Sequence, residues 1–393
     1  MDGLTHSLLG LTAAKAGLER LSPYAAAVCI LSANAPDIDV VVGLFGDRWT
    51  ALLHHRGITH SIVGTLTLGV LIPSIFWAVE RALAKWRQHP PRIKYKGLLL
   101  VSLLMAFSHP LMDWTNNYGV RPLLPWSGRW FYGDLVFIID PYIWLLLGGA
   151  AFLLTSNRLP RKVVWLVIGV ATTLLILLAP TRRAIGTVNL SVARAIWLIG
   201  ILIIILARLV RADKRWGSLI PRVALVLLVS YWGSLAWMHR AAFLKATAFA
   251  NQISTAQGEN FVRTMAAPTV ANPFRWLCVA ETDRAMYRFS VGIGPGEFQP
   301  DPANLVEGRR SDSPTAVERY EKPSGRGAEL LSLASRDRRA QILTGFSRFL
   351  AARVEPDNCV GQTLVQFADL RYTEPGASRG NFSLDVPVEC PPR

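Results

Sequence analysis

The sequence predicts a mainly α protein: a multi-span helical membrane domain that includes a helical metal-site region, followed by a small soluble α+β domain. Three observations predict it. Hydrophobic residues fill 51% of the 393 positions and charged residues only 18%, a balance that favours lipid over water. Apolar runs of spanning length recur as far as Met238, and beyond it the composition turns mixed. Six of the seven histidines fall within the first 109 residues, close to aspartates at the ends of apolar segments. The expected divisions are residues 1–134 for the metal-site region with its membrane-embedded helices, 135–239 for further transmembrane helices and 240–393 for the soluble domain.

The chain begins Met1-Asp2-Gly3-Leu4-Thr5-His6. It has no basic n-region and no small-residue cleavage site follows, so a cleaved signal peptide is not expected. Residues 7–18 and 23–35 are apolar, but each is only ~20 Å long at ~1.5 Å per residue, short of a ~30 Å hydrocarbon core. They suit a helical hairpin that dips into the bilayer or packs inside a bundle. Residues 62–84 are long enough to span, and 97–112 place His109 at a helix end. Further spans are expected at 135–156, 163–180, 195–207 and 219–238, for five to seven in all. In the tail, 273–293 reads as a hairpin turning at Thr282-Asp283-Arg284. Residues 295–327 read as loop, 336–353 as helix, and 361–372 and 381–388 as strands.

Charge orients the spans. The net charge is +15. Up to residue 239 there are 23 Lys and Arg against 10 Asp and Glu, and beyond it 19 against 17. The basic excess therefore belongs to the apolar half, where loop charge sets topology, and no nucleic-acid partner is expected. Loops 85–96, 157–162 and 208–222 carry 13 Lys and Arg, against 3 in loop 181–194. Placing the first three in the cytoplasm puts residues 37–61, residues 109–134 and the tail on the outer face. Every candidate ligand then lies on one side of the membrane.

Those candidates are His6, Asp37, Asp39, His55, His60, His109 and Asp113. Imidazole and carboxylate are the ligands that borderline metals such as Zn²⁺ prefer, and such groups are costly beside lipid unless they serve a purpose. His109 and Asp113 share a helical face if the helix runs through Pro110. His55 and His60 flank Gly57, which suits a loop leading into a helix capped by Thr59 or Ser61. Asp37 and Asp39 alternate about Ile38, so one of them faces the centre. Arg56 either clamps an anionic substrate or pairs with Asp37 or Asp39. Asn116-Asn117-Tyr118-Gly119 reads as a loop over the site. Any one of these histidines alone is more often simply hydrogen-bonded, and an Asp after Pro usually caps or turns. Their joint recurrence on one face is what favours a shared site. His54, Asp134 and Asp140 are weaker ligands, and His89 and His239 read as ordinary loop residues.

The run Pro36-Asp37-Ile38-Asp39, then His55-Arg56-Gly57-Ile58-Thr59-His60-Ser61, then His109-x-x-x-Asp113 followed by Tyr118-Gly119 resembles the YdjM-like family. The resemblance covers roughly residues 1–125 by motif, with Asn272-Pro273-Phe274-Arg275-Trp276 and Asp369-Leu370-Arg371 similar to features of the longer members' tails. It implies an inner-membrane-associated metal-dependent hydrolase. The family is grouped by similarity with zinc-dependent phospholipases C and single-strand nucleases, which implies a phospholipase C-like helical metal site. Carried over, the ligands are His6, Asp37 or Asp39, His60, His109 and Asp113. The phospholipases add further histidines, a His-x-x-x-Glu helix and an N-terminal Trp. This chain offers only His239 after Asp113 and begins with Met, so one or two ions are expected, Zn first among them.

The expected function is hydrolysis of a phosphoester or other ester of a membrane-associated substrate at the outer (periplasmic) face of a bacterial inner membrane. Asp37 or Asp39, whichever is not a ligand, would orient a metal-activated water, and Arg56 would balance developing negative charge. The alternative is a non-catalytic membrane scaffold with a structural metal and a partner-binding tail. A transporter is disfavoured because the His/Asp set sits at helix ends rather than mid-span. Of the cysteines Cys29, Cys278, Cys359 and Cys390, none forms a CxxC; in an oxidising compartment Cys359–Cys390 is the preferred pairing, with Cys278 as competitor. A reporter active only outside the cytoplasm is expected to be active when fused after residue 240 and silent in loop 85–96. The reverse pattern would invert the orientation.

Overall fold

A computed structural model describes residues 1–179, 182–183, 186–187, 190–294, 299–355, 361–377, 380 and 382–390. They divide into two units: Met1–Val41, His54–Pro180 and Asn189–Leu235 in the first, and Val42–Leu53, Thr181–Val188 and Ala236–Arg393 in the second.

The first unit is helical. Helix α1 (Gly3–Ala16) is capped by Asp2, whose carboxylate accepts from Thr5 N, and ends at Gly17. Helix α2 (Ala25–Asn34) packs against it so closely that a Cβ on Gly10 would stand 2.7 Å from the Cys29 carbonyl oxygen. Then come α3 (Ile62–Trp86) and α4 (Tyr95–Trp114). Ala14 of α1, Val28 and Cys29 of α2, and Leu98 and Val101 of α4 form one buried cluster. After a loop, α5 (Pro141–Thr155, with a π-helical stretch at Trp144–Gly148), α6 (Leu159–Leu178), α7 (Ser191–Leu209) and the start of α8 (Leu219–Ala256) follow. Six helical stretches of the described residues are long and apolar enough to cross a membrane: Ala25–Leu44, α3, α4, α6, α7 and α8. Helices α6 and α7 expose Leu166, Val167, Ile199 and Ile203, a surface for lipid rather than water.

Several boundaries differ from the sequence reading, each for a local reason. The second apolar stretch does not stop at residue 35. Its helix tightens into a 3₁₀ turn at Ala35–Asp39 and runs on as Val40–Leu44. The expected span 135–156 begins only at Pro141, because Asp140 caps the helix there, its Oδ1 accepting from Tyr142 N at 2.8 Å and Ile143 N at 3.2 Å. Helix α8 runs far past residue 238: polarity does not end a helix, and no breaker intervenes until Gly258, at φ +65°.

The second unit is α+β. Strands β1 (Phe261–Thr269), β2 (Asn272–Thr282), β3 (Ala285–Gly292), β4 (Leu305–Glu307) and β5 (Val317–Glu321) form a sheet in the order β1-β2-β3-β5-β4. Strands β6 (Leu350–Val354), β7 (Gln362–Asp369) and β8 (Ser383–Glu389) form a second, in the order β8-β7-β6. Alternation sorts the larger sheet's two faces. Ala266, Cys278 and Phe289 meet Ala242, Phe249 and Ile253 of α8, while Met265, Val279 and Met286 meet Phe349 and Leu370. The hairpin turning after Thr282 and the strands near 361–372 and 381–388 match expectation. Segment 336–353 does not: it splits into α10 (Arg338–Phe346, following α9 at Arg326–Ala334) and β6. Segment 295–327 is not all loop, since it holds β4 and β5. In β5 the buried Glu318, paired with Arg288 of β3 at 2.6 Å, interrupts the apolar pattern. Cys390 is disulfide-bonded and Cys29 and Cys278 are free; Cys359, the expected partner, lies outside the described residues.

Replacing Gly10 by Val is expected to force α1 and α2 apart and to cost about 1–3 kcal/mol of stability. A lowered melting temperature of the detergent-solubilised protein checks this. An unchanged melting temperature would refute the close approach.

Candidate metal centre

Four short pieces of chain bring the polar groups together. The 3₁₀ turn Ala35–Asp39 carries Asp37 and Asp39, the turn Ile58–His60 carries His60, α1 carries His6, and α4 carries His109 and Asp113. Helix α4 continues through Pro110, so His109 and Asp113 do share a face. Ser61, not Thr59, caps α3, its Oγ accepting from Gly64 N at 3.1 Å. Gly57 is needed where it stands: a Cβ there would fall 2.5 Å from the His54 carbonyl oxygen.

Ligand atoms of Asp37, His60, His109 and Asp113 all lie within 4.8 Å of one another, with the last three residues buried. His60 Nε2 and His109 Nε2 are 3.1 Å apart. Asp37 Oδ1 stands 3.4 Å from the first and 3.3 Å from the second, and Asp113 Oδ2 3.4 and 3.6 Å. The protons are fixed from behind. His109 Nδ1 faces the Ala33 carbonyl at 2.7 Å, an oxygen that can only accept, so Nδ1 carries the proton. His60 Nδ1 faces Asp39 Oδ2 at 3.2 Å and is held in the same way. Both Nε2 lone pairs therefore point inward, at each other and at two carboxylates. Without a cation this set is mutually repulsive. Ligand atoms around a tetrahedral zinc stand about 3.3 Å apart at bonds of about 2.0–2.1 Å, and the distances between these donors fit it.

The surrounding residues divide by role. Asp39 belongs to the support: it accepts from Arg56 N at 2.8 Å and Thr59 Oγ1 at 3.3 Å, and meets His55 Nδ1 at 3.3 Å. Asp37, with a side chain 27% exposed, is the member open to solvent. Asp37, Asp39 and His55 make a second, more exposed group able to hold an ion. His6 is fully buried, stacks on His109 with ring centroids 3.7 Å apart, and sits 3.4 Å from Asp113 Oδ1. Burial, reinforced by His109, holds its imidazole well below the usual histidine range. Neither of its ring nitrogens has a hydrogen bond among the described residues.

The Arg56 side chain pairs with Asp113, and it is the backbone N–H that meets one of the expected aspartates, Asp39. Its Nε is 2.9 Å from Asp113 Oδ2, and Nη1 donates to Asp113 O, Asn116 Oδ1 and Gly119 O at 3.0–3.2 Å. The guanidinium lies 4.6 Å from the Tyr118 ring centre, so the Asn116–Gly119 loop clamps Arg56. Its backbone is left-handed, at φ +53°. The Met1 amino group contacts Asp113 Oδ1, which sequence reasoning missed, as it missed the Ala33 carbonyl. His54 is exposed, and Asp140 serves as a cap that also accepts from Tyr231 Oη at 2.9 Å.

Spanning helices and a buried His/Asp cluster at their ends together define a multi-pass membrane protein with a candidate metal centre. Residues 1–183 match the model of the YdjM inner membrane protein family, which bears out the resemblance read from the motifs over that part of the chain. The whole candidate centre falls inside the matched region. The uncharacterized protein YfhP of Bacillus subtilis (strain 168) is 30% identical over 155 residues, 37% of this chain and 43% of that relative. The match thus spans less than half of the relative's length. No solved structure matches the chain.

Replacing His60, His109 or Asp113 by Ala is expected to reduce bound metal in the purified protein to background, while His89→Ala and His239→Ala retain the wild-type amount. Asp39→Ala should weaken metal affinity about 10–100-fold through loss of the His60 support. Wild-type metal in all six variants would dismiss the centre.

Proposed function

We propose that this protein is a membrane-bound metal-dependent hydrolase that cleaves a phosphoester, or another ester, of a membrane-associated substrate. The observation that carries the reading is the inward convergence of two imidazole lone pairs and two carboxylates, open only at Asp37. Asp37, His60, His109 and Asp113 would hold a divalent ion, Zn²⁺ first by donor chemistry, with His6 at its edge. The Asp37, Asp39 and His55 group is the position for a second ion. A bound ion supplies Lewis acidity and lowers the pKa of a water in its shell.

The chain's own residues supply the rest. Asp39 fixes the tautomer and aim of His60. Arg56 holds Asp113 in place, so its role is to position that carboxylate rather than to grip substrate. Asp39 also meets His55 Nδ1 at 3.3 Å and so orients that imidazole beside the centre. The distribution of loop charge supports the outer, periplasmic face as the working side. The resemblance to zinc phospholipases favours a phosphoester, and the lipid setting favours an amphiphilic one.

One observation favours a second reading, a structural metal in a non-catalytic scaffold: four protein ligands would complete a tetrahedral shell. Turnover separates the two. The full-length chain, loaded with Zn²⁺ in phospholipid bicelles, is expected to release product from the bilayer lipid or from a soluble phosphodiester. Chelation should abolish this, and Asp37→Asn should lower it at least ~100-fold. Stoichiometric metal with no hydrolysis of phosphodiester or carboxylic ester would overturn the hydrolase reading in favour of the scaffold.

A further inference from the structure

A half-open cavity of about 700 Å³ lies within the first unit, lined by α1, α5, α6 and α7. That volume is within the ~300–1,000 Å³ of small-molecule sites. Its body is apolar, built in part by Leu4 and Leu8 of α1, Trp144 and Phe152 of α5, and Ile201 and Ile204 of α7. Leu4 and Leu8 share one face of α1, and His6 is turned roughly 200° from Leu4 at 3.6 residues per turn. The cavity and the metal centre therefore lie on opposite sides of α1.

The cavity is polar where α5 ends, α6 begins and α7 ends. Ser156, Lys162 and Arg208 line it there. Ser156 is 1% exposed, and its hydroxyl has no hydrogen bond among the described residues. Lys162 is exposed. Arg208 is fixed beside them by the Ser156 carbonyl at 3.3 Å and by Asp213 at 2.7 Å. A buried hydroxyl lacking a partner, an ammonium and a guanidinium suit an oxyanion headgroup. At the other end Trp197 Nε1 donates to Thr173 Oγ1 at 3.0 Å, closing the wall with an aromatic ring. Along α6 the lining runs from Lys162 to Leu174, about 18 Å at 1.5 Å per residue. One leaflet of a ~30 Å hydrocarbon core is about 15 Å deep.

We infer that this cavity holds an acyl chain of one phospholipid from the bilayer, whose anionic headgroup is bound by Ser156, Lys162 and Arg208. Basic pockets between membrane helices favour such headgroups. The site is independent of the metal centre and of its proposed chemistry.

The test uses the full-length chain, stripped of lipid in detergent and offered phosphatidylglycerol or phosphatidylcholine, with retained lipid counted by native mass spectrometry. The wild type is expected to keep one phosphatidylglycerol with about tenfold preference, the worth of one charge-assisted contact. Lys162→Gln, at an exposed position where folding is not at stake, should erase the preference. Gly169→Trp, placed where a Cβ meets nothing within 4 Å, should fill the cavity and release both lipids. Equal retention of the two lipids by the wild type would overturn the inference. So would a preference that survives Lys162→Gln, whether or not the tryptophan variant folds.

Discussion

Two imidazole nitrogens that face each other at 3.1 Å, with two carboxylates against them, form the arrangement on which the first unit depends. Lone pairs and negative charge do not gather in a buried place unless something positive belongs among them. The Arg56 guanidinium and the Met1 amino group answer part of the Asp113 charge from the side, yet among the described residues no cationic side chain stands between the imidazoles. The helices have to deliver these atoms within tenths of an ångström, because a ligand displaced by one ångström no longer reaches a common ion.

That demand explains features that otherwise look incidental. The α1–α2 contact at Gly10 sets how close His6 comes to the turn that carries Asp37, because both helices end at the centre. The Ala33 carbonyl, the last turn of α2, orients His109 of α4, so one backbone oxygen ties two elements to one tautomer. The left-handed backbone at Arg56 is held by its N–H bond to Asp39, while its side chain reaches across to Asp113 and Asn116. Asp39 thus joins the 55–60 loop to the 35–39 turn through four contacts at once, to His55, Arg56, Thr59 and His60. Asp39, a candidate ligand by sequence, is thereby also the keystone of the support.

The sequence made the membrane character and the members of the cluster legible, because both are written in residue type: apolar length for the spans, and His and Asp at their ends for the centre. It could not choose between Asp37 and Asp39, since a two-residue alternation yields two faces without saying which one meets the paired Nε2 atoms. The partner of Arg56 was equally hidden. Asp113 is 57 positions away, and only the continuity of α4 through Pro110 brings it there. Backbone partners such as the Ala33 carbonyl leave no side-chain signal at all. In the second unit, β5 was missed because its inward positions include Glu318, whose charge is met by Arg288 from the neighbouring strand. A strand core built on an ion pair does not alternate in hydrophobicity.

The uneven exposure of the cluster bears on whether such a centre works or merely holds. His60, His109 and Asp113 have side chains no more than 1% exposed, and Asp37 is 27% exposed. A purely structural site has reason to bury all its ligands alike, because each exposed ligand invites exchange with water. Here the least buried carboxylate lies next to the His55–Asp39 pair, and His55 is itself 36% exposed. The exposed polar groups are therefore concentrated on one side of the centre. The buried side carries His60, His109 and Asp113 together with the groups that fix their geometry. This asymmetry leaves one edge of the centre open, as the proposed hydrolysis needs and a sealed structural site does not.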